Sequence, residues 1–286
     1  MSSNSSYECF DVTIQDGIAH IQMKRPDVYN SMIPAFWKEL PDIVDDISDN
    51  AKARVIVISS TGKHFCAGMD LAVFTGGGNG QKPDPRTTEQ RKEASRLNIR
   101  DLQRTVSCLD DARIPVLVAI QGGCIGGGVD LSSAADCRYI TKDGFFCIQE
   151  INIGMTADVG TFPRLCHLLP QGILRELSYT GRRLLAHEAK ALGLVNEIYD
   201  SQEDMLAAVM ATAKEIASKS PLAVTGSKVM INYARDHTIA DGLDYIAVWQ
   251  TGMFQPAEMG EAFVAKAEKR EANYPDLIPL KKGLGT

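Results

Sequence analysis

The sequence predicts an α/β core followed by an all-helical C-terminal region. Three observations carry that expectation. Up to about residue 200, short runs rich in β-branched residues alternate with segments of helical period, as strands and helices folded in layers do. From Met205 onward the composition is almost wholly helical. The chain has 286 residues and 44% hydrophobic content, enough for one large core or a core with a smaller appendage. The expected division is residues 1–204 for the core and 205–286 for the helical region.

Residues 10–24 alternate apolar and polar around Asp16-Gly17, which predicts an opening β-hairpin. Residues 34–49 place Phe36, Leu40, Ile43, Val44 and Ile47 on one helical stripe. Strands are expected at 54–59 and 115–120. Between them, residues 75–85 are rich in Gly and Pro and predict a mobile loop, and a polar helix is expected from about Thr87 to Leu109. After Ile120 the pattern is strand, glycine cluster, helix, strand, and then a glycine-punctuated loop as far as Gly160. A helix is expected over 182–193, stopped by Gly193.

Bulk properties narrow the function. A net charge of -6 and a pI near 5.4 argue against nucleic acid as a partner. The longest apolar runs are far too short to span a bilayer. Seven scattered cysteines without a C-x-x-C pair read as reduced thiols, mostly core filler. The polar N-terminus carries no secretory signal and the C-terminus no Ser-Lys-Leu, so a cytoplasmic location is the expectation.

Familiar catalytic motifs fail in turn. Gly122 to Gly128 follows a strand, but the G-x-G-x-x-G frame from Gly126 meets Leu131 at its third position. Thr61-Gly62-Lys63-His64 lacks the upstream glycine of a P-loop, since position 57 is Val. His187-Glu188 has no second His at zincin spacing, and no G-x-S-x-G elbow exists.

Two glycine-rich turns survive: His64-Phe-Cys-Ala-Gly-Met-Asp-Leu71, and Gln121-Gly-Gly-Cys-Ile-Gly-Gly-Gly-Val-Asp130 ahead of a helix. Glycine allows close backbone approach, and a helix N-terminus offers free N–H groups. Converging on one oxygen, such turns would form an oxyanion hole made only of main chain. Three carboxylates, Asp130, Glu150 and Asp158, follow in apolar or glycine-rich surroundings. Singly, each could be a cap or turn residue. Jointly, beside an oxyanion hole, they suggest acid–base chemistry.

These segments resemble the two oxyanion-loop signatures of the crotonase (enoyl-CoA hydratase/isomerase) superfamily. The resemblance runs from Phe10 to about Tyr274 and takes in Arg25-Pro26 with Asn30, and Thr180-Gly181 through Glu188-Ala189 to Gly193-Leu-Val195. It implies a crotonase-like spiral of ββα units with a C-terminal helical oligomerisation region. The narrower likeness is to delta(3,5)-delta(2,4)-dienoyl-CoA isomerases, through Gly123 to Asp130, Glu150 and Ala157-Asp158-Val159-Gly160.

Carried over to this sequence, the resemblance implies that the Met69 and Gly127 N–H groups bind a thioester oxygen. Glu150 would move the proton at C2 and Asp158 that at C6, with Asp130 tuning both. CoA contacts are implied for Arg25, Ala67, Asp70 and Lys269, the last near Arg270 on the terminal helix. The expected partners are an acyl-CoA substrate and further copies of the chain, as a homotrimer or dimer of trimers. No separate cofactor or metal is implied, because CoA arrives with the substrate. By the same resemblance a hydratase would carry glutamates at positions 130 and 150, and a Δ3,Δ2-enoyl-CoA isomerase needs one carboxylate. A noncatalytic crotonase-fold binding protein would lose pocket acids. Asp158 is the residue that separates these readings.

Overall fold

The chain opens with the expected hairpin in the structure, a computed structural model that describes residues 7–75 and 86–281. Strand β1 (Phe10–Gln15) pairs antiparallel with β2 (Ile18–Met23). The two-residue turn requires positive φ at both positions, and Asp16 (52°) and Gly17 (75°) supply it. Strands β3 (Val55–Ser60), β4 (Val116–Ile120), β5 (Gly123–Ile125), β6 (Cys137–Thr141), β7 (Phe145–Cys147), β8 (Leu184–Leu185) and β9 (Glu197–Tyr199) follow. The main sheet has the order β1-β2-β3-β4-β6-β9 and is parallel from β2 onward. A small second sheet has the order β5-β7-β8.

The apolar runs of β3 and β4 are buried throughout, because both faces of the sheet are covered. Ile56, Ile58, Val116 and Val118 share one core with the stripe of α1 (Pro34–Asp49): Phe36, Leu40, Ile43, Val44 and Ile47. Val55, Val57, Leu117 and Ala119 turn to the other face. There α8 (Gln202–Ala217) lays down Met205, Val209, Ala213 and Ala217 at four-residue spacing. The 204/205 division drawn from sequence therefore falls inside a helix that covers the sheet.

Helix α2 (Leu71–Thr75) ends where the described residues stop, so the rest of the loop expected at 75–85 lies outside them. Helix α3 (Thr88–Asp111) begins with a capping box between Thr87 and Gln90. It packs on α1 at an informative point. Pro41 lies inside α1 and cannot donate to the Trp37 carbonyl one turn back. The Thr105 hydroxyl of α3 donates to that carbonyl instead (2.8 Å), which fixes α3 beside Trp37.

After α4 (Gly127–Ser133), α5 (Thr161–Leu168) and α6 (Gln171–Thr180), the structure departs from the helix expected over 182–193. Leu184 and Leu185 pair with β7, and α7 spans only Ala186–Ala191. The Arg183 guanidinium lies 4.1 Å over the Phe145 ring and Leu184 is buried, so tertiary packing overrides helical propensity there. Helices α9 (Pro221–Asp236), α10 (Ile239–Met253) and α11 (Pro256–Glu268) form the C-terminal layer. The buried Lys228 of α9 ties that layer to the core, donating to the Leu109 and Ile114 carbonyls and to Asp136. The seven cysteines are free thiols, five of them buried as packing residues.

Candidate active site

The two glycine-rich turns meet through main-chain bonds. The Cys66 N–H donates to the Gly123 carbonyl (3.1 Å), and the Ile125 N–H donates to the Cys66 carbonyl (3.0 Å). On its other side the first turn is held by Met32. The Met32 N–H donates to the Gly68 carbonyl (2.8 Å), and the Asp70 N–H donates to the Met32 carbonyl (3.1 Å). Asn30 anchors the lead-in, its side-chain amide donating to the Thr61 and His64 carbonyls.

Gly68, at φ 85°, must be glycine. A Cβ there would lie 2.9 Å from the Ile125 carbonyl oxygen and 3.4 Å from the Gly127 nitrogen, so a side chain would force the turns apart. Pairing with Met32 uses the groups on either side of Met69, and α4 begins at Gly127. Among the described residues, neither the Met69 N–H nor the Gly127 N–H has an acceptor. Two adjacent unpaired donors, one at a helix N-terminus, are available to an oxygen placed between the turns.

These turns line a cleft of about 600 Å³ with Asp130, Glu150 and Asp158. Ala67 and Asp70 border it too. Its apolar wall comes from Ile125 of the second glycine turn and from Val28, Trp37, Ile153 and Met155, which the glycine motifs did not point to. Ile153 and Met155 could have been noticed as exposed apolar residues in a glycine-punctuated loop.

The three acids have different surroundings. Asp130, in the first turn of α4, is 1% exposed. Its Oδ1 accepts from both the Thr161 N–H (2.6 Å) and the Thr161 hydroxyl (2.7 Å), and so caps the start of α5 from another helix. Burial pushes its carboxyl up to about 7, with the Glu150 charge adding to the rise and the Thr161 bonds opposing it. Glu150 opens a short 3-10 turn (Glu150–Ile153) and lies against Gly126, where a Cβ would come 3.3 Å from its Oε1. Its Oε2 is buried without a hydrogen-bond partner among the described residues. Burial raises its pKa, its own backbone N–H opposes that, and the charge of Asp158 adds to it. Such an oxygen, desolvated beside the oxyanion donors, is placed to take a proton.

Asp158 differs from the surroundings expected for it. It is exposed at the cleft rim, and its main-chain carbonyl accepts from the Gln103 side chain (2.7 Å). The other expected ligand contacts divide. Asp70 accepts from the Ser31 hydroxyl and the Ala72 N–H, which hold its carboxyl below the usual range. Arg25 reaches the same rim but donates to the Ser31 carbonyl and does not line the cleft. Lys269, in left-handed conformation at the end of α11, lies apart from the cleft within one chain.

The Asp130 environment predicts a pH-dependent stability. Its carboxyl rises on folding from the ordinary aspartate value of 3.8 to about 7, so its ionised form is disfavoured in the folded chain. That contribution is fully present below about pH 4 and is lost as the pH rises through 7. Asp130→Asn keeps the acceptor for Thr161 and cannot ionise. It should roughly equal wild type in denaturant titrations at pH 4 and exceed it at pH 8 by on the order of 4 kcal/mol. An advantage confined to pH 4 would contradict the assignment.

The family model for Enoyl-CoA hydratase/isomerase matches residues 13–277. The chain belongs to this family. Its fold is shared with the crystal structure of an enoyl-CoA hydratase from Bacillus anthracis, at a TM-score of 0.82 and 28% identity, covering 93% of this chain and 99% of that one. Among curated proteins it is 39% identical over 273 residues to the mitochondrial delta(3,5)-delta(2,4)-dienoyl-CoA isomerase of Mus musculus, covering 94% of this chain and 82% of the mouse protein. It is 35% identical over 277 residues to the peroxisomal delta(3,5)-delta(2,4)-dienoyl-CoA isomerase of Arabidopsis thaliana, covering 97% and 99%. Those names correct the cytoplasmic expectation, since the relatives are organellar proteins of two kinds. Receptor-read addresses are short segments independent of the core, and failing to recognise one in a sequence is not evidence of location.

Proposed function

We propose that the protein isomerises 3,5-dienoyl-CoA to 2,4-dienoyl-CoA, a reaction of unsaturated fatty-acid oxidation, by moving a proton from C2 to C6. The observation that carries this reading is the presence of Asp158 on the same cleft as Glu150 and the two unpaired N–H groups. Removing the C2 proton gives a dienolate with charge on the thioester oxygen, C2, C4 and C6. The Met69 and Gly127 N–H groups stabilise the oxygen end, and one such donor is worth about 3–4 kcal/mol. Glu150 takes the C2 proton. The far carbon lies four bonds away, so Asp158 delivers the second proton.

Asp130 supports isomerisation over hydration. A hydratase would need a free carboxylate at that position to activate water. Here Asp130 is a residue one methylene shorter, buried, with Oδ1 held by Thr161. Its part is to hold α5 and to keep Glu150 and its neighbours in different protonation states. An ultraviolet assay with a 3,5-dienoyl-CoA beside a 2-enoyl-CoA tests the reading. Growth of the 2,4-dienoyl thioester band with little hydration supports it, and rapid hydration without dienoyl product contradicts it.

The proposal extends to assembly as a homotrimer or dimer of trimers. The C-terminal layer leaves Ile239 84% and Leu243 64% exposed on one face of α10, and a groove of about 640 Å³ lies between α9, α10 and α11. A bare apolar stripe of this kind is suited to another subunit. In such an assembly Lys269 would serve the CoA phosphates of a neighbouring cleft. Lys269→Ala should then raise KM for CoA esters and leave pantetheine esters unchanged, with sedimentation velocity showing a trimer or hexamer. Equal effects on both esters, or a monomer, would rule this out.

A further inference from the structure

The Asp158 segment enters α5 through a turn that the fold holds at more points than a loop requires. Gly160 has φ 139°, and a Cβ there would come within 1.9 Å of Arg164 Nη1, so the guanidinium folds back beneath the turn. From that position Arg164 Nε donates to Asp110 Oδ2 (2.7 Å) and Nη2 donates to the Ser107 hydroxyl (3.0 Å), both on α3. The ion pair is largely shielded, with side-chain exposures of 12% and 17%. Gln103, one turn earlier on α3, donates to the Asp158 carbonyl. Asp110 also accepts from Arg235, and its carbonyl accepts from Asn232, both on α9.

We propose that Gln103 and Arg164 are positioning residues for the far acid: together they clamp the Asp158–Gly160 turn to α3 and, through Asp110, to the C-terminal layer. The inference rests on the reading of Asp158 as the C6 acid. Asp158 is exposed and its carboxylate has no hydrogen-bond partner among the described residues, so its position is set by its backbone alone. The near half of the site needs no such clamp. The two N–H donors are held by the Cys66–Ile125 and Met32–Gly68 bonds, and the strand leading into Glu150 is tied to the second turn by the Gly126 N–H, which donates to the Cys147 carbonyl (2.9 Å); none of these bonds touches α3. Arg164 also contributes to Asp130, where its charge opposes the rise caused chiefly by burial.

This arrangement separates the two proton transfers, and the test exploits that separation. Gln103→Met and Arg164→Met are compared with wild type for 3,5-dienoyl-CoA turnover, and for exchange of the C2 protons of the same thioester with deuterated solvent. Displacing a reacting group by about 1 Å can cost up to about a hundredfold. Turnover should therefore fall roughly tenfold or more in Arg164→Met, with kcat carrying the loss, and by a smaller factor in Gln103→Met. C2 exchange and KM should stay near wild type in Gln103→Met; in Arg164→Met, which also removes the charge facing Asp130, C2 exchange should fall by clearly less than turnover. Arg164→Lys, which keeps the charge but not the two-point fork, should recover only part of the rate. If Arg164→Met fails to fold, Gln103→Met decides alone, since it removes one partly exposed donor. Unchanged turnover, or an equal loss of turnover and C2 exchange, overturns the clamp. A wild-type protein that exchanges C2 protons without forming dienoyl product would overturn the functional reading instead.

Discussion

Asp158→Asn is expected to lower turnover of 3,5-dienoyl-CoA by about 10²–10⁴, the contribution of a positioned acid–base group. The substitution is mild in every other respect. Asp158 is exposed, and the bond that holds it is made by its main-chain carbonyl to Gln103, which asparagine keeps. Folding and affinity for a saturated acyl-CoA should therefore be unchanged. Loss of the Asp158 charge should also let Glu150 ionise more readily, because that charge now raises the Glu150 pKa. The expected pattern is a collapsed kcat with intact binding, read from steady-state kinetics and from calorimetry with the inert thioester. Turnover within a few fold of wild type would remove Asp158 from the mechanism.

Gly127→Pro should reduce kcat by roughly 10²–10³ for any thioester the enzyme transforms, because it deletes one of two oxyanion donors. Gly127 is the first residue of α4, a position where proline is compatible with a helix and where the N–H has no acceptor to lose. The control is Gly127→Ala. Its Cβ would crowd the Met32 Sδ at 2.7 Å and Cε at 3.4 Å, at the end of a flexible side chain, would lie in ordinary contact with the Gly68 Cα at 3.9 Å, and its N–H remains. Alanine should cost little and proline nearly everything. Equal losses would attribute the effect to crowding against Met32, and a proline variant changed only in KM would mean the donor acts on the ground state.

Much of the fold was legible because it rests on periodicity and turn chemistry. Asp16-Gly17 announced a two-residue hairpin, the Phe36 to Ile47 stripe announced α1, and the β-branched runs became β3 and β4. The small sheet was legible only in part: Phe145 to Ile148 is strand-like in sequence and contains β7, but its two partners carry no such signal. β5, β7 and β8 have three, three and two residues, and Leu184-Leu185 inside a helical composition gives no sign that it will pair with Phe145-Phe146. The glycine turns could be suspected singly, but their contact depends on main-chain β-pairing at Cys66 and Cys124, which no local pattern encodes.

The acids were legible by family resemblance more than by physics. Asp130 following a glycine-rich helix start reads equally well as a cap, and capping is one of the things it does, though for α5 and not for its own helix. Nothing near Asp158 in the sequence betrays Gln103 or Arg164, because the first lies 55 residues away and the second acts beneath a glycine that has no side chain to mark the site. Trp37 was hidden by the stripe beside it, and its place in the cleft follows from the Pro41–Thr105 arrangement between α1 and α3.

The division of labour between Glu150 and Asp158 is tested most directly by converting a 3,5-dienoyl-CoA in deuterated water and locating the label by NMR. Asp158 is exposed to solvent, and the expected product is a 2,4-dienoyl-CoA carrying deuterium at C6. Label at C4 in a 2,5-dienoyl product, or a hydrated product labelled at C2, would mean that the proton is delivered by another group and would contradict it.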